Sequence, residues 1–140
     1  MTTRALLAAF CCLPLAAAPL GAQPSPQQVE FFEKQVRPVL AEHCWRCHGQ
    51  KKQMAGLRLD SRAALLQGGD NGPVIVAGEP DRSRLVQAVR HAGPLKMPPN
   101  NRLSERAVAG LAEWVRMGAP WPAESEAGAV LAKGEAWRSH

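Results

Sequence analysis

Two cysteines and a histidine stand within five consecutive residues, Cys44-Trp45-Arg46-Cys47-His48. Two residues separate the thiols, so one short turn can present both on the same side, and the next residue extends its imidazole from that turn. Thioether bonds to the two vinyl groups of a haem need thiols placed in this way, and the iron needs a nitrogen ligand on the same face. The spacing therefore predicts one covalently attached haem c, bound through Cys44 and Cys47, with His48 as the proximal iron ligand.

Three other uses of the cysteine pair stay open. A tetrahedral zinc site needs four ligands, and without a second C-x-x-C or an H-x-x-x-H the chain would have to complete it with scattered histidines such as His43 and His91. A thioredoxin-like redox pair needs a βαβ frame, which the helical pattern does not provide. A plain structural disulfide is the third alternative. Haem attachment is the favoured interpretation.

Residues 1–22 have the build of a secretory signal peptide. Residues 1–4 give a short positive start, residues 5–20 are almost wholly apolar, and Ala22 places a small residue before a plausible cut at Gln23. The apolar run is too short to span a bilayer as a helix. The protein is therefore expected to be exported, to a periplasmic or extracellular location.

The predicted signal also changes the cysteine count. Cys11 and Cys12 lie within it, which makes a lipoprotein signal the rival, but Phe10 stands before Cys11 where a small residue is expected. The mature chain of 118 residues keeps one of the two cysteine pairs, and its net charge is +4 because Arg4 is the one charged residue removed. Its basic residues are spread along the chain, which favours a solvated surface over nucleic-acid binding.

Helical periodicity dominates the mature chain. A capping box of Ser25 and Gln28, with Pro26 at the first helical position, starts a helix whose apolar positions continue to Leu40. Pro38 is expected to kink or split this helix because it has no N–H to donate. The last helix is expected from the N-cap Ser104 to Gly118. Its apolar stripe is Val108, Leu111, Ala112 and Val115.

The middle of the chain predicts shorter elements. A helix over 60–67 has Asp60 as its N-cap, a β-like run covers 74–76, and a third helix runs from 81 to about 91. Residues 92–102 are rich in proline, glycine and asparagine, which indicates a loop. The domain is expected to cover 23–122, followed by a flexible tail or the start of a continuation over 123–140.

A six-coordinate haem iron needs another ligand from elsewhere in the chain. The candidates in the mature chain are Met54, Met97, Met117, His43, His91 and His140. Met97 is the best placed, 49 residues after His48 in a loop where the following prolines push its backbone towards extended geometry. The alternative is a purely structural role, in which Met97 fills a gap beneath the loop. His91 is the second choice as ligand, and it would lower the potential relative to methionine.

These residues together resemble a known family, the Planctomycete-type cytochrome c domain. The resemblance covers about residues 31–122, and its most specific segments are Leu57-Arg58-Leu59-Asp60-Ser61-Arg62 and Lys96-Met97-Pro98-Pro99. It implies an all-α, small cytochrome c fold with thioethers at Cys44 and Cys47, His48 as proximal ligand and Met97 as distal ligand. It also implies that the domain often stands at the start of much longer exported proteins, so the chain is either a solitary version or a fragment of a larger redox protein.

The expected function is electron transfer to a redox partner protein or a fused redox domain, without catalysis by this domain itself. Arg46, Lys51 and Lys52 lie near the expected haem edge and would steer an acidic partner, or simply keep the surface soluble. Two alternative functions would require a different use of the haem iron. A haem peroxidase would keep one iron position open, and a sensor or adhesion module would use the haem structurally. The electron-accepting part of a dehydrogenase is a further enzymatic alternative.

Overall fold

The computed structural model describes residues 23–123, so the predicted signal peptide and nearly all of the predicted tail lie outside the described residues. Within this range the chain forms helices and isolated β-bridges but no strand, which agrees with the predicted all-α class. Short 3₁₀ turns cover Met54–Gly56 and Pro80–Arg82. The α-helices are α1 (Pro26–Phe31), α2 (Arg37–His43), α3 (Arg62–Gln67), α4 (Arg84–Arg90) and α5 (Glu105–Arg116).

The first helical segment begins where the sequence predicts. The Ser25 hydroxyl accepts from the Gln28 N–H at 3.2 Å, and the Gln28 side chain accepts from the Ser25 N–H at 2.9 Å. Between α1 and α2, Phe32–Val36 forms a π-helical turn in which the Arg37 N–H donates to the Phe32 carbonyl, five residues back. Pro38 cannot donate to the carbonyl four residues before it, and the wide turn accommodates that missing bond. Pro38 therefore does not split the helical segment, which instead widens locally just before it.

Two predicted helix starts are wrong. α3 begins one residue later than predicted because Ser61 is its N-cap, with the Ser61 hydroxyl accepting from the Ala64 N–H at 3.2 Å. The Asp60 carboxylate instead pairs with the Arg58 guanidinium at 3.0 Å. α4 begins at Arg84 instead of residue 81, because the chain over Pro80–Arg82 is a separate 3₁₀ turn.

The predicted β-like run over 74–76 is also wrong. Its polar backbone groups bond to the start of α4 instead of to another strand: the Val76 N–H donates to the Ser83 hydroxyl at 2.9 Å, and the Val74 carbonyl accepts from the Leu85 N–H at 3.0 Å. Ile75 is buried. The apolar content of the run thus serves the core without forming a sheet.

The core lies between the first helical segment and α5. Phe32, Val36 and Leu40 are fully buried, as are Leu111, Trp114 and Val115 of α5. Burying each such side chain contributes roughly 1.5–3 kcal/mol before the entropy cost of folding is subtracted.

α5 begins and ends where the sequence predicts. The Ser104 hydroxyl accepts from the Ala107 N–H at 3.2 Å, and Gly118 follows the helix with φ of +95°. Residues 92–102 contain no helix, as predicted.

An aromatic cluster closes this core near the end of the described chain. The ring centroids of Phe32 and Trp121 lie 4.4 Å apart, and those of Phe32 and Trp114 lie 5.9 Å apart. The Arg37 guanidinium lies 4.9 Å from the Phe32 ring centre while its Nε donates to the Glu33 carboxylate at 2.7 Å. Trp114 is thus part of this cluster in the described structure.

Candidate functional site: the cysteine–histidine turn and the Met97 loop

Cys44, Cys47 and His48 occupy one tight turn that continues directly from the end of α2. The Cys44 N–H donates to the Leu40 carbonyl at 2.9 Å, which carries the helical bonding pattern into the turn. The Cys44 carbonyl then accepts from the Cys47 N–H at 3.1 Å and from the His48 N–H at 2.8 Å. These bonds fix the backbone that carries both thiols and the imidazole. Both cysteines are free thiols, and all three side chains are half-buried.

Leu59 holds this turn from the other side of the chain. Its N–H donates to the His48 carbonyl at 2.8 Å, and its carbonyl accepts from the Trp45 indole Nε1–H at 2.7 Å. Leu59 is itself only 3% exposed. One buried residue from a distant segment therefore anchors two residues of the cysteine–histidine turn.

Gly49 allows the chain to leave the turn. A Cβ built at this position would lie 2.3 Å from the Trp45 carbonyl oxygen, which is too close for any other residue without movement of the backbone. The Gly49 N–H donates to the Lys52 carbonyl at 2.8 Å, and the Met54 N–H donates back to the Cys47 carbonyl at 3.0 Å. The glycine thus permits a compact loop that returns to the turn.

The environment of His48 fits a residue that binds a group outside the polypeptide. Its Nδ1 atom is buried and has no hydrogen-bond partner among the described residues. A buried polar nitrogen without a partner costs about 1–3 kcal/mol, so such atoms are uncommon unless they serve a site. Because two thiols share the same turn, the residues present fit a covalently attached haem.

Burial gives the Cys44 thiol a raised pKa, the reverse of what a redox-active C-x-x-C cysteine has. Burial raises the pKa of the Cys44 thiol to about 11. Reactive C-x-x-C cysteines have lowered pKa values, because the thiolate is the nucleophile in disulfide exchange. Cys44 stays protonated at neutral pH, which disfavours a thioredoxin-like role.

The zinc alternative finds no support in the described range. Among residues 23–123 no group of three or more His, Cys, Asp or Glu side chains is placed to hold a metal ion. His43, one of the two histidines proposed to complete such a site, lies with its Nε2 3.8 Å from the Glu42 carboxylate at the end of α2. Among residues 23–123 the two cysteines therefore have no further ligands beside them that would complete a tetrahedral cluster.

The loop that carries Met97 is attached to the C-terminal end of α4. The Met97 N–H donates to the Ala88 carbonyl at 3.0 Å, and His91 Nε2 lies 3.3 Å from the Met97 carbonyl oxygen. Met97 is half-buried, and Pro98 follows it. The structure thus brings together the two residues that the sequence ranks first and second as the sixth iron ligand.

The other candidates for the sixth ligand occupy different surroundings. Met54 is 50% exposed on the 3₁₀ turn that follows the cysteine–histidine turn. Met117 is the C-cap of α5 and half-buried. His140 lies outside the described residues. Arg46, Lys51 and Lys52, the predicted partner-steering residues, are all exposed.

Sequence reasoning missed the supporting residues of the site. Leu59 belongs to the segment that carries the family resemblance, but its bonds to Trp45 and His48 connect residues up to 14 positions apart. Gly49 directly follows His48, and a glycine beside a tight turn was the available signal for a close backbone approach.

Comparison with known families locates a match in this part of the chain. Residues 44–101 match the family model described as Planctomycete cytochrome C, which confirms the resemblance expected from the sequence. The matched segment contains the cysteine–histidine turn and Met97, and its similarity is to a c-type cytochrome domain. No curated protein and no solved structure matches the chain at a significant level. Within residues 23–123 no helix has both the length and the hydropathy needed to cross a bilayer.

Proposed function

We propose that this protein is an exported mono-haem c-type cytochrome that transfers single electrons, with Cys44 and Cys47 as thioether sites, His48 as proximal ligand and Met97 as distal ligand. The observation that carries the proposal is the cysteine–histidine turn, which lies inside the segment that matches a cytochrome family. It also holds a buried His48 nitrogen that has no hydrogen-bond partner among residues 23–123. Bound haem supplies a one-electron couple whose potential is raised by methionine ligation.

The contribution of the polypeptide is to hold its ligands in fixed positions. Hydrogen bonds from Cys47 and His48 to the Cys44 carbonyl fix the turn, and Leu59 fixes it again from a second segment. The backbone of Met97 is bonded to α4 in the same way. Ligands whose backbones move little between two oxidation states keep the reorganisation that opposes electron transfer small.

Export and the choice of partner follow from other parts of the chain. The pattern of residues 1–22 supports a secretory signal, and covalent attachment suits a compartment where a loosely held cofactor would escape. Arg46, Lys51 and Lys52 are exposed beside the cysteine–histidine turn, which supports electrostatic docking of an acidic redox partner protein or fused redox domain. The absence of a strongly basic block supports protein rather than nucleic-acid partners.

The optical spectrum of the protein, expressed with export and haem-attachment machinery, tests the ligand set. Wild type is expected to give sharp reduced bands and, in the ferric state, the weak far-red absorption of a methionine-bound haem. Met97→Ala is expected to lose that far-red absorption and to lower the reduction potential, because methionine ligation raises it. Met54→Ala, which removes an exposed methionine near the same turn, is the matched control and is expected to leave the spectrum unchanged.

Other spectra would redirect the proposal. A chain without bound haem would exclude a cytochrome and revive a disulfide or metal site. A high-spin wild-type spectrum would keep the haem but indicate an open iron position, as in a peroxidase. A far-red absorption that survives in Met97→Ala would exclude Met97 as the distal ligand.

A further inference from the structure

The C-terminal end of α4 contacts both backbone polar groups of Met97, its N–H and its carbonyl oxygen. The Ala88 carbonyl accepts from the Met97 N–H at 3.0 Å and also from the His91 N–H at 3.1 Å. The Nε2 atom of the His91 ring lies 3.3 Å from the carbonyl oxygen of Met97 itself. A third contact joins the end of the loop to α4, because the Arg102 guanidinium donates to the Arg90 carbonyl at 3.3 Å.

The partner of His91 Nε2 shows which of the two atoms donates in this contact. A carbonyl oxygen can only accept, so the His91 Nε2 atom must carry the proton that it shares with Met97. That nitrogen is then unavailable to bind a metal ion. The contact therefore argues against the role of sixth iron ligand that the sequence gives His91 as second choice, because a ring that donates Nε2–H to Met97 is not an iron ligand through the same atom.

The backbone of His91 explains how its ring reaches the loop. His91 is the C-cap of α4 and has a left-handed conformation, with φ of 57° and ψ of 32°. Among non-glycine residues, histidine, asparagine and aspartate are enriched in this conformation. A left-handed residue ends the helix and turns the chain, and here it directs a hydrogen-bond donor at the residue six positions later.

We propose that His91 is a positioning residue for Met97: its ring holds the Met97 carbonyl against α4 and thereby directs the methionine side chain towards the iron. The inference rests on the proposed function, since it assigns a task to His91 only if Met97 binds the haem. It concerns the affinity of the methionine for the iron rather than the presence of the haem.

Two variants of the haem-loaded, full-length protein separate the effect of the His91 hydrogen bond from the effect of its left-handed backbone. His91→Gly keeps the left-handed conformation, in which glycine ends helices readily, but removes the donor. His91→Gln strains the left-handed backbone somewhat, but its side-chain amide keeps an N–H donor about as far from the backbone as Nε2 of histidine. The measurements are the far-red absorption of the ferric protein, its reduction potential, and the affinity of the ferric iron for added imidazole, which competes with the methionine.

The expected result is that His91→Gly binds imidazole about two- to tenfold more tightly than wild type, the range that the loss of one hydrogen bond predicts. Its far-red absorption and its reduction potential are expected to fall, whereas His91→Gln stays close to wild type. Haem content and the midpoint of chemical unfolding are measured in parallel, because a purely structural role would change the unfolding midpoint of both variants without a selective change in imidazole affinity.

An error in the assignment of Met97 and an error in the role of His91 would give different results. If Met97→Ala leaves the far-red absorption unchanged, the assignment of Met97 as ligand is wrong and the role of His91 falls with it. If Met97→Ala abolishes the absorption but His91→Gly retains wild-type absorption, potential and imidazole affinity, the proposed function stands and the positioning role is wrong. Should His91→Gly fail to fold, His91→Asn takes its place, because asparagine tolerates the left-handed backbone but has a shorter side chain. A weaker far-red absorption in His91→Asn beside an unchanged His91→Gln protein would support the inference, and a wild-type absorption in His91→Asn would overturn it.

Discussion

Gly49 is the residue at which the cysteine–histidine turn tolerates the least change. Gly49→Ala is expected to destabilise the protein by about 1–3 kcal/mol, because the new methyl group would lie 2.3 Å from the backbone oxygen of Trp45 and force the turn to move. The free energy of unfolding from denaturant titration and the yield of attached haem measure the effect. Gly93→Ala is the matched control, since a Cβ at Gly93 meets nothing within 4 Å. Equal stability of the two variants would contradict the close contact.

At this scale the sequence predicts only what neighbouring residues determine. Cys44, Cys47 and His48 are close in the chain, so their shared turn follows from spacing alone. Leu59 contributes backbone groups, which every residue type carries, so its identity gives no sign of its bonds to His48 and Trp45. The contact between His91 and Met97 likewise depends on a left-handed backbone that histidine tolerates but does not require.

At the scale of elements, the start of α3 is decided by competition between two adjacent polar residues. Ser61→Ala is expected to cost about 1 kcal/mol of stability because it removes the hydroxyl that accepts from the Ala64 N–H. Ser61→Asp should restore most of that loss, since aspartate is an equally good N-cap. Denaturant unfolding of both variants measures the difference, and an unchanged Ser61→Ala protein would mean that the cap contributes nothing.

Helix starts are predictable where a single polar residue can act as the N-cap. Ser25 and Ser104 each bond to an N–H three residues later, and the sequence predicts both starts correctly. Before α3 two adjacent polar residues can cap the helix, and the structure uses Ser61 because the Asp60 carboxylate pairs with Arg58. The run 74–76 has β-forming residues, yet it bonds to Ser83 and Leu85, because no neighbouring strand is present in the described residues.

For the molecule as a whole, Trp121 ties the segment after α5 to the first helical segment. Trp121→Ala is expected to cost about 3–5 kcal/mol, as large aromatic truncations in cores do, and to lower the melting temperature accordingly. Leu95→Ala, which shortens an apolar side chain that is 48% exposed, is the control and should change stability by less than about 0.5 kcal/mol. Thermal unfolding monitored by circular dichroism compares the two, and similar losses would show that the aromatic cluster is not central to the core.

The mass of the exported protein tests the organisation of the whole chain. We expect the exported protein to lack residues 1–22 and to carry the mass of a single haem, because one cysteine pair follows the predicted signal peptide. Replacing Cys44 and Cys47 together by serine should remove the haem mass and leave the cleavage position unchanged. An intact residue 1–22 segment in the exported protein would contradict the signal peptide, and an added lipid mass would indicate a lipoprotein.

The wide turn at Phe32–Val36 determines how the residues after it are rotated about the helix axis. In a regular α-helix each residue advances by about 100°, so side chains spaced four apart drift around the axis. Phe32, Val36 and Leu40 have that spacing and are all fully buried, because the under-wound turn offsets the drift and keeps them in one row. A π-helical turn holds about one residue more than an α-helical turn, so winding the same residues as a regular α-helix would rotate everything after them by about 100° relative to the aromatic cluster. The direction in which Cys44 leaves α2 is therefore set a dozen residues earlier in the chain.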